Sequence, residues 1–386
     1  MAHILVAYKQ FPAPSVGHAG GESLFGLMKA LRLRGHRLTL VARIAADERQ
    51  HLPDTAAICE AVYTAPHHRT MRGPRVLAFV RSYLLFRATL RRAMKEVQPD
   101  LLHVETTQTA VVALGLKRPP ASYRTQDINW FLVEQRLGRL KGLRCLLARL
   151  QRVLLRRAEP WIASCYDVVL AISEGDRSLL SEAMGGATPL LVPLAPTLSA
   201  NRPVAPAVEG GPNLLFVGAM SRDHNHQGAM WFLDFVLPQV VAQRPDARLY
   251  IVGGGPQATL VSRADGEHVF VTGFVDDLAP WYRAATVFVS PLLVAGGLLQ
   301  KVIDAMVMGV PVVATTVCNH GLGAVPGTDL ITADDPGAFA GAVLSLLNSA
   351  EDRTRMGEAG RAFVTRTYDI DAAVARWDAA IRGLTA

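Results

Sequence analysis

Residues 286–323 read TVFVSPLLVAGGLLQKVIDAMVMGVPVVATTVCNHGLG, and these thirty-eight residues decide the fold. Residues 286–290 form a β-branched and aromatic run closed by Pro291, the pattern of a buried strand. Gly296-Gly297 make a turn, and residues 298–308 carry apolar side chains at helical spacing. Gly309 sits where a helix C′ residue belongs, and Pro311 forbids continuation. Residues 310–315 are the next strand, so the stretch is a strand–loop–helix–strand unit of a parallel sheet. A two-glycine loop at a helix start leaves N–H groups and the positive dipole end for a ligand. Lys301 in the first turn opposes that dipole, and an anionic ligand would resolve the conflict. Asp304, three residues on and on the same face, suits a sugar diol. Together the two fit a nucleotide. The alternative is an ordinary β–α–β turn with an exposed lysine.

The stretch PLLVAGGLLQKVIDAMVMGVPVVAT resembles the donor-site signature of GT-B glycosyltransferases, specifically glycosyltransferase family 4 and its exopolysaccharide-associated sugar transferases. Members usually show Pro-Leu, a glycine turn, Lys, an acidic residue and Ala-Met-x-x-Gly-x-Pro-Val-Val. Asp304 stands where the family has Glu, and Gly296 stands where many members have an earlier Glu. The resemblance implies that Gly296, Gly297, Leu298, Lys301 and Asp304 bind the donor.

The 386 residues are enough for two domains with ample cores. Half of them are hydrophobic, yet no apolar run approaches the eighteen or so needed to span a bilayer. The start MAHILVAYK lacks a basic region before its apolar run, so no signal peptide is expected. Cys59, Cys145, Cys165 and Cys318 lack metal-ligand spacing and read as reduced thiols, which points to the cytoplasm.

Residues 3–8 read as a strand, followed by a loop with Pro12, Pro14, Gly17, Gly20 and Gly21 and a helix over residues 23–34. Gly20-Gly21 make a second anion cradle at a helix start, with Glu22 suited to the dipole. The alternative is a structural glycine pair. The stretch FPAPSVGHAGGESLFGLMKALRLRGHRLTLV also resembles the opening of family 4 enzymes. Residues 99–104 and 122–124 are strands, the second ending in RTQDINWFLVEQR. In relatives this strand end reads His-Asn-x-Glu. Gln126, Asp127 and Asn129 fill those places, which leaves Gln126 a hydrogen-bonding role and makes Asp127 the nearby ionisable candidate. Asp127 as a plain turn or cap residue is the alternative. After the strand at 167–172, Ser173 with Asp176 has capping-box spacing.

A Pro/Ala/Gly-rich segment at 195–212 breaks the periodicity and reads as a linker. Beyond it come a strand at 214–217, Gly218 and the loop SRDHNHQG. By resemblance this loop holds the donor diphosphate. The family's basic residue is Ala219 here, so Arg222 is the remaining cation, with His224 and Asn225 as auxiliaries and solvated loop side chains as the alternative. Phe274 and Val275, after the strand at 269–272, match the stretch that binds the base. Asp276-Asp277 is not a metal motif.

Residues 69–95 hold eight Lys/Arg and no acid, and residues 136–157, Arg139 among them, hold eight more and no acid. Each reads as a basic amphipathic helix suited to an anionic membrane, or as a solvated surface helix. The expected architecture is α/β, a GT-B pair of Rossmann-like domains whose parallel sheets face a central cleft. Residues 1–198 form the acceptor-side domain, 199–212 the linker and 213–367 the donor domain, with a terminal helix over 368–386 packing back on the first. The resemblance implies a retaining transferase that moves a sugar from a nucleotide-sugar to a saccharide, lipid-linked or small-molecule acceptor hydroxyl. It would act in polysaccharide, glycolipid or glycoconjugate synthesis, with no metal, cofactor or nucleic acid, in the cytoplasm and peripherally at the inner face of the membrane. Lys301, Arg222, Asp127 and Gln126 are the catalytic candidates, and Gly20, Gly21, Gly218, His224, Asn225, Phe274 and Val275 join the donor-binding set. The alternatives are a degenerate, non-catalytic binding or scaffolding homologue and a nucleotide-sugar epimerase.

Overall fold

The computed structural model describes residues 1–14, 19–138, 140–193, 196–200 and 202–385. Gly17, Arg139 and the linker positions 195 and 201 lie outside them. The chain forms two compact units, Met1–Ala195 with Ile370–Ala386, and Pro196–Asp369.

In unit 1, strands and helices alternate from the start. The order is β1 (His3–Tyr8), α1 (Ala19–Leu33), β2 (Arg37–Ile44), α2 (Leu52–Ala56), β3 (Ala61–Pro66), α3 (Arg75–Val97), β4 (Leu101–Glu105) and α4 (Thr107–Ala113). It continues with β5 (Ala121–Thr125), α5 (Asn129–Leu137), α6 (Gly142–Ser164), β6 (Val168–Ala171), α7 (Glu174–Ala183) and β7 (Leu190–Leu191). The seven strands are parallel in the order β3-β2-β1-β4-β5-β6-β7. Such a sheet is covered on both faces, so its strands are apolar on both. Strand alternation sends Ile4, Val6 and Tyr8 into one core with Leu24, Met28 and Trp377. Leu5 and Ala7 enter the other, with Phe86, Leu90 and Ile162.

Unit 2 repeats the alternation. It holds β8 (Asn213–Val217), α8 (Asp223–Trp231), α9 (Leu237–Val241), β9 (Arg248–Val252), α10 (Ala258–Val261), β10 (Val269–Gly273), α11 (Ala279–Ala284) and β11 (Val287–Ser290). Then follow α12 (Gln300–Val307), β12 (Val312–Ala314), α13 (Thr316–Leu322), β13 (Ile331–Thr332), α14 (Pro336–Asn348) and α15 (Ala350–Thr367). Its parallel order is β10-β9-β8-β11-β12-β13. The last helix, α16 (Ile370–Thr385), belongs to unit 1, where Val374, Trp377 and Ile381 are fully buried.

Strand order reverses between β1 and β4 in unit 1 and between β8 and β11 in unit 2. At such a point the flanking connections leave in opposite directions and open a crevice at the carboxyl ends of the strands. Both candidate sites lie at these ends.

Three local readings change. Helix α1 begins at Ala19 and not at residue 23, so Gly20 and Gly21 lie within its first turn. A Cβ on Gly20 would lie 2.7 Å from both Gln126 Oε1 and the Tyr8 hydroxyl, so a larger residue there would displace the ends of those side chains. Strand β4 runs one residue past 104 and so ends on Glu105. The segment read as a linker is fastened to unit 2: Arg202 pairs with Asp277 at 2.7 Å, Ala207 N–H donates to the Pro280 carbonyl, and Arg283 donates to the Ala200 carbonyl. Its composition removes regular structure without removing these bonds.

The Ser173 cap forms as the spacing predicts. Its hydroxyl accepts from Asp176 N–H at 3.0 Å and donates to Asp176 Oδ2 at 2.8 Å. Burial pushes the Asp176 carboxyl up to about 7 against that hydrogen bond, with Asp127 and Glu159 adding to the rise. A carboxyl raised on folding favours the folded state most when protonated. Wild type should therefore lose about 1–3 kcal/mol of stability relative to Asp176→Asn as pH rises from about 4 through about 7. Denaturant unfolding of both proteins at pH 4.5, 6 and 8 measures the difference, and a pH-independent gap contradicts it.

Candidate functional site

In unit 2 the strand ends converge through backbone contacts. Gly218 N–H donates to the Val252 carbonyl, Met220 N–H to Gly254 and Gly253 N–H to Gly273. Gly253 has φ +144°, and a Cβ there would lie 1.9 Å from the Gly218 oxygen. A Cβ on Gly218 would strike the Asn225 side chain at 2.8 Å. Small residues thus let the turn after β8 press on its neighbours and set the start of α8 over the crevice.

Lys301 lies in the first turn of α12 and meets the start of α8. Its ammonium donates to Asn225 Oδ1 at 2.7 Å and stands 4.7 Å from the centre of the Phe216 ring. Asn225 is buried and held in place by donating Nδ2–H to the Ala219 carbonyl at 3.0 Å. The buried Tyr282 hydroxyl donates to the Lys301 carbonyl at 3.0 Å and fixes the turn from α11. Burial pushes the ammonium down to about 7, Arg222 adds to the shift, and Cys318 opposes it. Arg222 is exposed just before α8, and His224 is half-buried within its first turn.

Gly296 and Gly297 precede this turn, Gly297 at φ +59°. A Cβ on Gly321 of α13 would lie 1.8 Å from the Gly297 oxygen, so the glycine turn sits directly on that helix. Leu298 is buried, which leaves only its backbone for a ligand. Phe274 and Val275 follow β10, two strands from β8. The Phe274 ring is 71% exposed and available for stacking, while Val275 is half-buried.

Asp304 is buried, and its carboxylate is occupied by the chain itself. Oδ1 accepts from Thr197 N–H at 2.8 Å, Leu198 N–H at 3.3 Å and Gln300 at 3.2 Å, and Oδ2 accepts from the Thr197 hydroxyl at 2.7 Å. Burial pushes this carboxyl up to about 6 in spite of those donors. A ribose at Asp304 would have to displace Thr197 and Leu198. Sequence spacing could not reveal this bond, because its partners lie more than a hundred residues apart.

In unit 1, Tyr8, Glu105 and Arg124 sit side by side on the ends of β1, β4 and β5. Glu105 and Arg124 are fully buried and joined by Arg124 Nε–H to Glu105 Oε1 at 2.8 Å. His103 Nε2 lies 3.0 Å from Glu105 Oε2, and Nδ1 lies 2.9 Å from the Ser122 hydroxyl. A carboxylate only accepts, so Nε2 carries the proton and Nδ1 accepts from Ser122. Burial pushes the Glu105 carboxyl up, but Arg124, His103 and Gln126 overcome it and hold the group below the usual range. Burial keeps His103 down and neutral at pH 7. Gln126 Nε2–H donates to Glu105 Oε1 at 2.8 Å, above Gly20. Asp127 is exposed, and its carbonyl accepts from the Thr125 hydroxyl. Glu159, from α6, caps α5 by accepting from Asn129 and Trp130. Thr106, directly after Glu105, has φ +75°, a strained backbone for a β-branched residue.

The sequence reading missed Glu105, Arg124 and His103. Their signal was polar residues inside two otherwise apolar strands, LLHVE and ASYRT. Among the described residues no cluster of His, Cys, Asp or Glu could hold a metal ion, and no helix is long and apolar enough to cross a membrane.

Residues 20–196 match the family model described as "Glycosyl transferase 4-like domain", and residues 211–349 match that described as "Glycosyl transferases group 1". A GDP-mannose-dependent monoacylated alpha-(1-6)-phosphatidylinositol monomannoside mannosyltransferase of Corynebacterium glutamicum is 32% identical over 140 residues, 33% of this chain and 37% of that protein. The chain spans about two fifths of the length of the curated relatives it matches. Among solved structures, sucrose-phosphate synthase from Thermosynechococcus elongatus aligns at TM-score 0.77 with 18% identity over 99% of both chains. Anabaena HepE in complex with UDP and glucose aligns at 0.69 with 14% identity, over 99% of this chain and 100% of that one. At these identities the structures establish a shared GT-B fold.

A lysine near 7 that meets an anion must gain a proton. The sign follows: the raised group in the complex makes binding strongest below about pH 7 and weaker above it, until the pH passes the complex's own value. Affinity for a nucleoside diphosphate should fall by up to about tenfold per pH unit between 7 and 9. Calorimetry in two buffers of different ionisation enthalpy should register proton uptake at pH 8, absent in Lys301→Met. Equal heats in both buffers for wild type contradict it.

Proposed function

The chain belongs to the GT-B glycosyltransferases of the family 4 type, and from that premise we propose that it transfers a sugar from a nucleoside-diphosphate sugar to an acceptor hydroxyl with retention of configuration. The observation that carries this reading is Lys301, a cation desolvated at a helix N-terminus beside Asn225 and electrostatically coupled to Arg222. A diphosphate relieves that arrangement, and stabilising the charge that grows on the leaving phosphate is the main demand of the reaction.

In this reading Lys301 and Arg222, with no metal ion, meet the diphosphate, helped by N–H groups at His224, Gly296 and Gly297, while Gly218 lets the turn beneath them pack closely. Phe274 stacks on the base beside Val275. The bond from the anomeric carbon to the diphosphate breaks, and the acceptor oxygen bonds that carbon on the same face. The acceptor proton passes to the departing phosphate oxygen, so no protein base is required. Gln126, Asp127 and the Gly20-Gly21 turn serve the sugar or acceptor through hydrogen bonds. The chemistry suits saccharide or lipid-linked acceptors in polysaccharide or glycoconjugate synthesis.

A second reading, a non-catalytic homologue that binds the donor, is favoured by the engagement of Gln126 with Glu105 and of Asp304 with Thr197. Acceptor-dependent release of nucleoside diphosphate from a panel of UDP-, GDP- and ADP-sugars separates the two. Release is expected with one base, and Lys301→Ala should weaken nucleotide binding by about 1.5–3 kcal/mol with melting little changed. Tight donor binding without release under any acceptor would leave the binding homologue.

Asp304 gives a separate test. If it holds ribose, wild type should prefer a ribonucleoside diphosphate over its 2′,3′-dideoxy analogue by about 1–3 kcal/mol, and Asp304→Ala should not. If Asp304 serves only Thr197 and Leu198, the variant melts lower and both proteins bind the two analogues alike.

A further inference from the structure

Helix α6 presents an unpartnered face with a definite chemistry. Leu143, Leu146, Leu147, Leu150, Leu154 and Trp161 are each more than half exposed. At 100° per residue they fall on one stripe, opposite buried Ala148, Glu159 and Ala163. Exposed Arg157 falls within the stripe, and exposed Arg149 and Arg144 flank it on either side, while Arg156 turns back over the Trp130 ring. The only acid of the helix, Glu159, is buried under its far side, where it caps α5. Over 23 residues the face is about 34 Å long.

The neighbouring helices extend the same character. Helix α4 packs against both α3 and α6, and all three cover one face of the unit 1 sheet. Helix α3 exposes Val76, Leu77, Val80 and Leu84, and α4 exposes Val111. Helices α3 and α6 together carry eleven Lys/Arg and two carboxylates, more positive charge than the +7 of the whole chain. The rest of the protein is therefore close to neutral, and its cationic character belongs to this layer.

We propose that this layer, led by the α6 stripe, docks on the surface of an anionic lipid bilayer. A second copy of the chain is a poor occupant, because self-pairing would bring the arginine rows together. A bilayer supplies both halves of the match: acyl chains for the leucines and indole, and anionic headgroups for guanidinium groups on flexible apolar stems. Through Glu159 the docked helix also holds the start of α5, two residues beyond Asp127. The docking itself does not depend on transferase activity.

The test is flotation with phosphatidylcholine vesicles, with and without phosphatidylserine, across a salt series. Wild type is expected to float with the anionic vesicles at low salt, at least tenfold more weakly with neutral ones, and to be released as salt rises. Two surface variants, Leu146→Glu/Leu150→Glu and Arg149→Glu/Arg157→Glu, should each lose at least tenfold in binding while keeping the wild-type melting temperature and nucleotide affinity. Brominated acyl chains should quench a tryptophan signal that disappears in Trp161→Phe. Equal binding to neutral vesicles, no binding to anionic ones, or unchanged binding by the leucine variant overturns the proposal. So does light scattering that finds a dimer dissolved by the leucine variant. None of these readouts uses turnover, so loss of the transferase reading and loss of the docking face are distinguished.

Discussion

Lys301 places an ammonium at the N-terminal turn of α12, where the helix dipole opposes it and exposed Arg222 adds to the repulsion. Burial removes the water that would otherwise stabilise the charge. What keeps the side chain in place is neutral: the Asn225 side-chain oxygen Oδ1 and the face of Phe216. The surrounding architecture serves that arrangement. Gly218 and Gly253 allow the strand ends to touch, Asn225 is fixed by the Ala219 carbonyl, and Tyr282 holds the Lys301 backbone. With burial pushing the ammonium down to about 7, the charge on this group depends on whether an anion stands beside it.

Unit 1 resolves a buried charge in the opposite way. Glu105 and Arg124 neutralise one another, His103 and Gln126 complete the hydrogen bonds of the carboxylate, and Ser122 holds the far nitrogen of His103. A pair of this kind is costly to break, because either partner alone would be an uncompensated buried charge. It therefore fixes the strand ends from which the Gln126–Asp127 loop departs. The strained Thr106 backbone lies at the same switch point. The order of the strands accounts for this placement, since both the crevice and the groups that line it come from the same carboxyl ends.

Asp304 shows how a carboxylate at a binding-site position can be engaged by the chain itself. Its position in the helix suits a ribose, yet its oxygens accept from Thr197 and Leu198. The shorter side chain, compared with the family's Glu, lies close to the helix, within reach of these backbone donors. Arg202 and Arg283 fasten the same segment at other points of unit 2, so the Pro/Ala/Gly-rich composition describes an irregular strap more than a free tether.

The sequence by itself determined the alternation of strands and helices, the glycine turn before α12, the Ser173 cap and the placing of Lys301 in a first turn. These follow from local chemistry: β-branched runs, helical spacing of apolar residues, and the backbone restrictions of glycine and proline. The segregation of arginines from acids was also legible, because it is a property of composition along the chain. Which faces those helices bury was not. Only packing decided that the α6 leucines stay outside while Ala148 and Ile162 go in. Tertiary structure alone joined Glu105 to Arg124, Asn225 to Lys301 and Thr197 to Asp304, contacts separated by 19, 76 and 107 residues. Periodicity carries no information at such separations. The satisfaction of a buried charge depends on which strand ends lie side by side, and only the folded sheet order settles that.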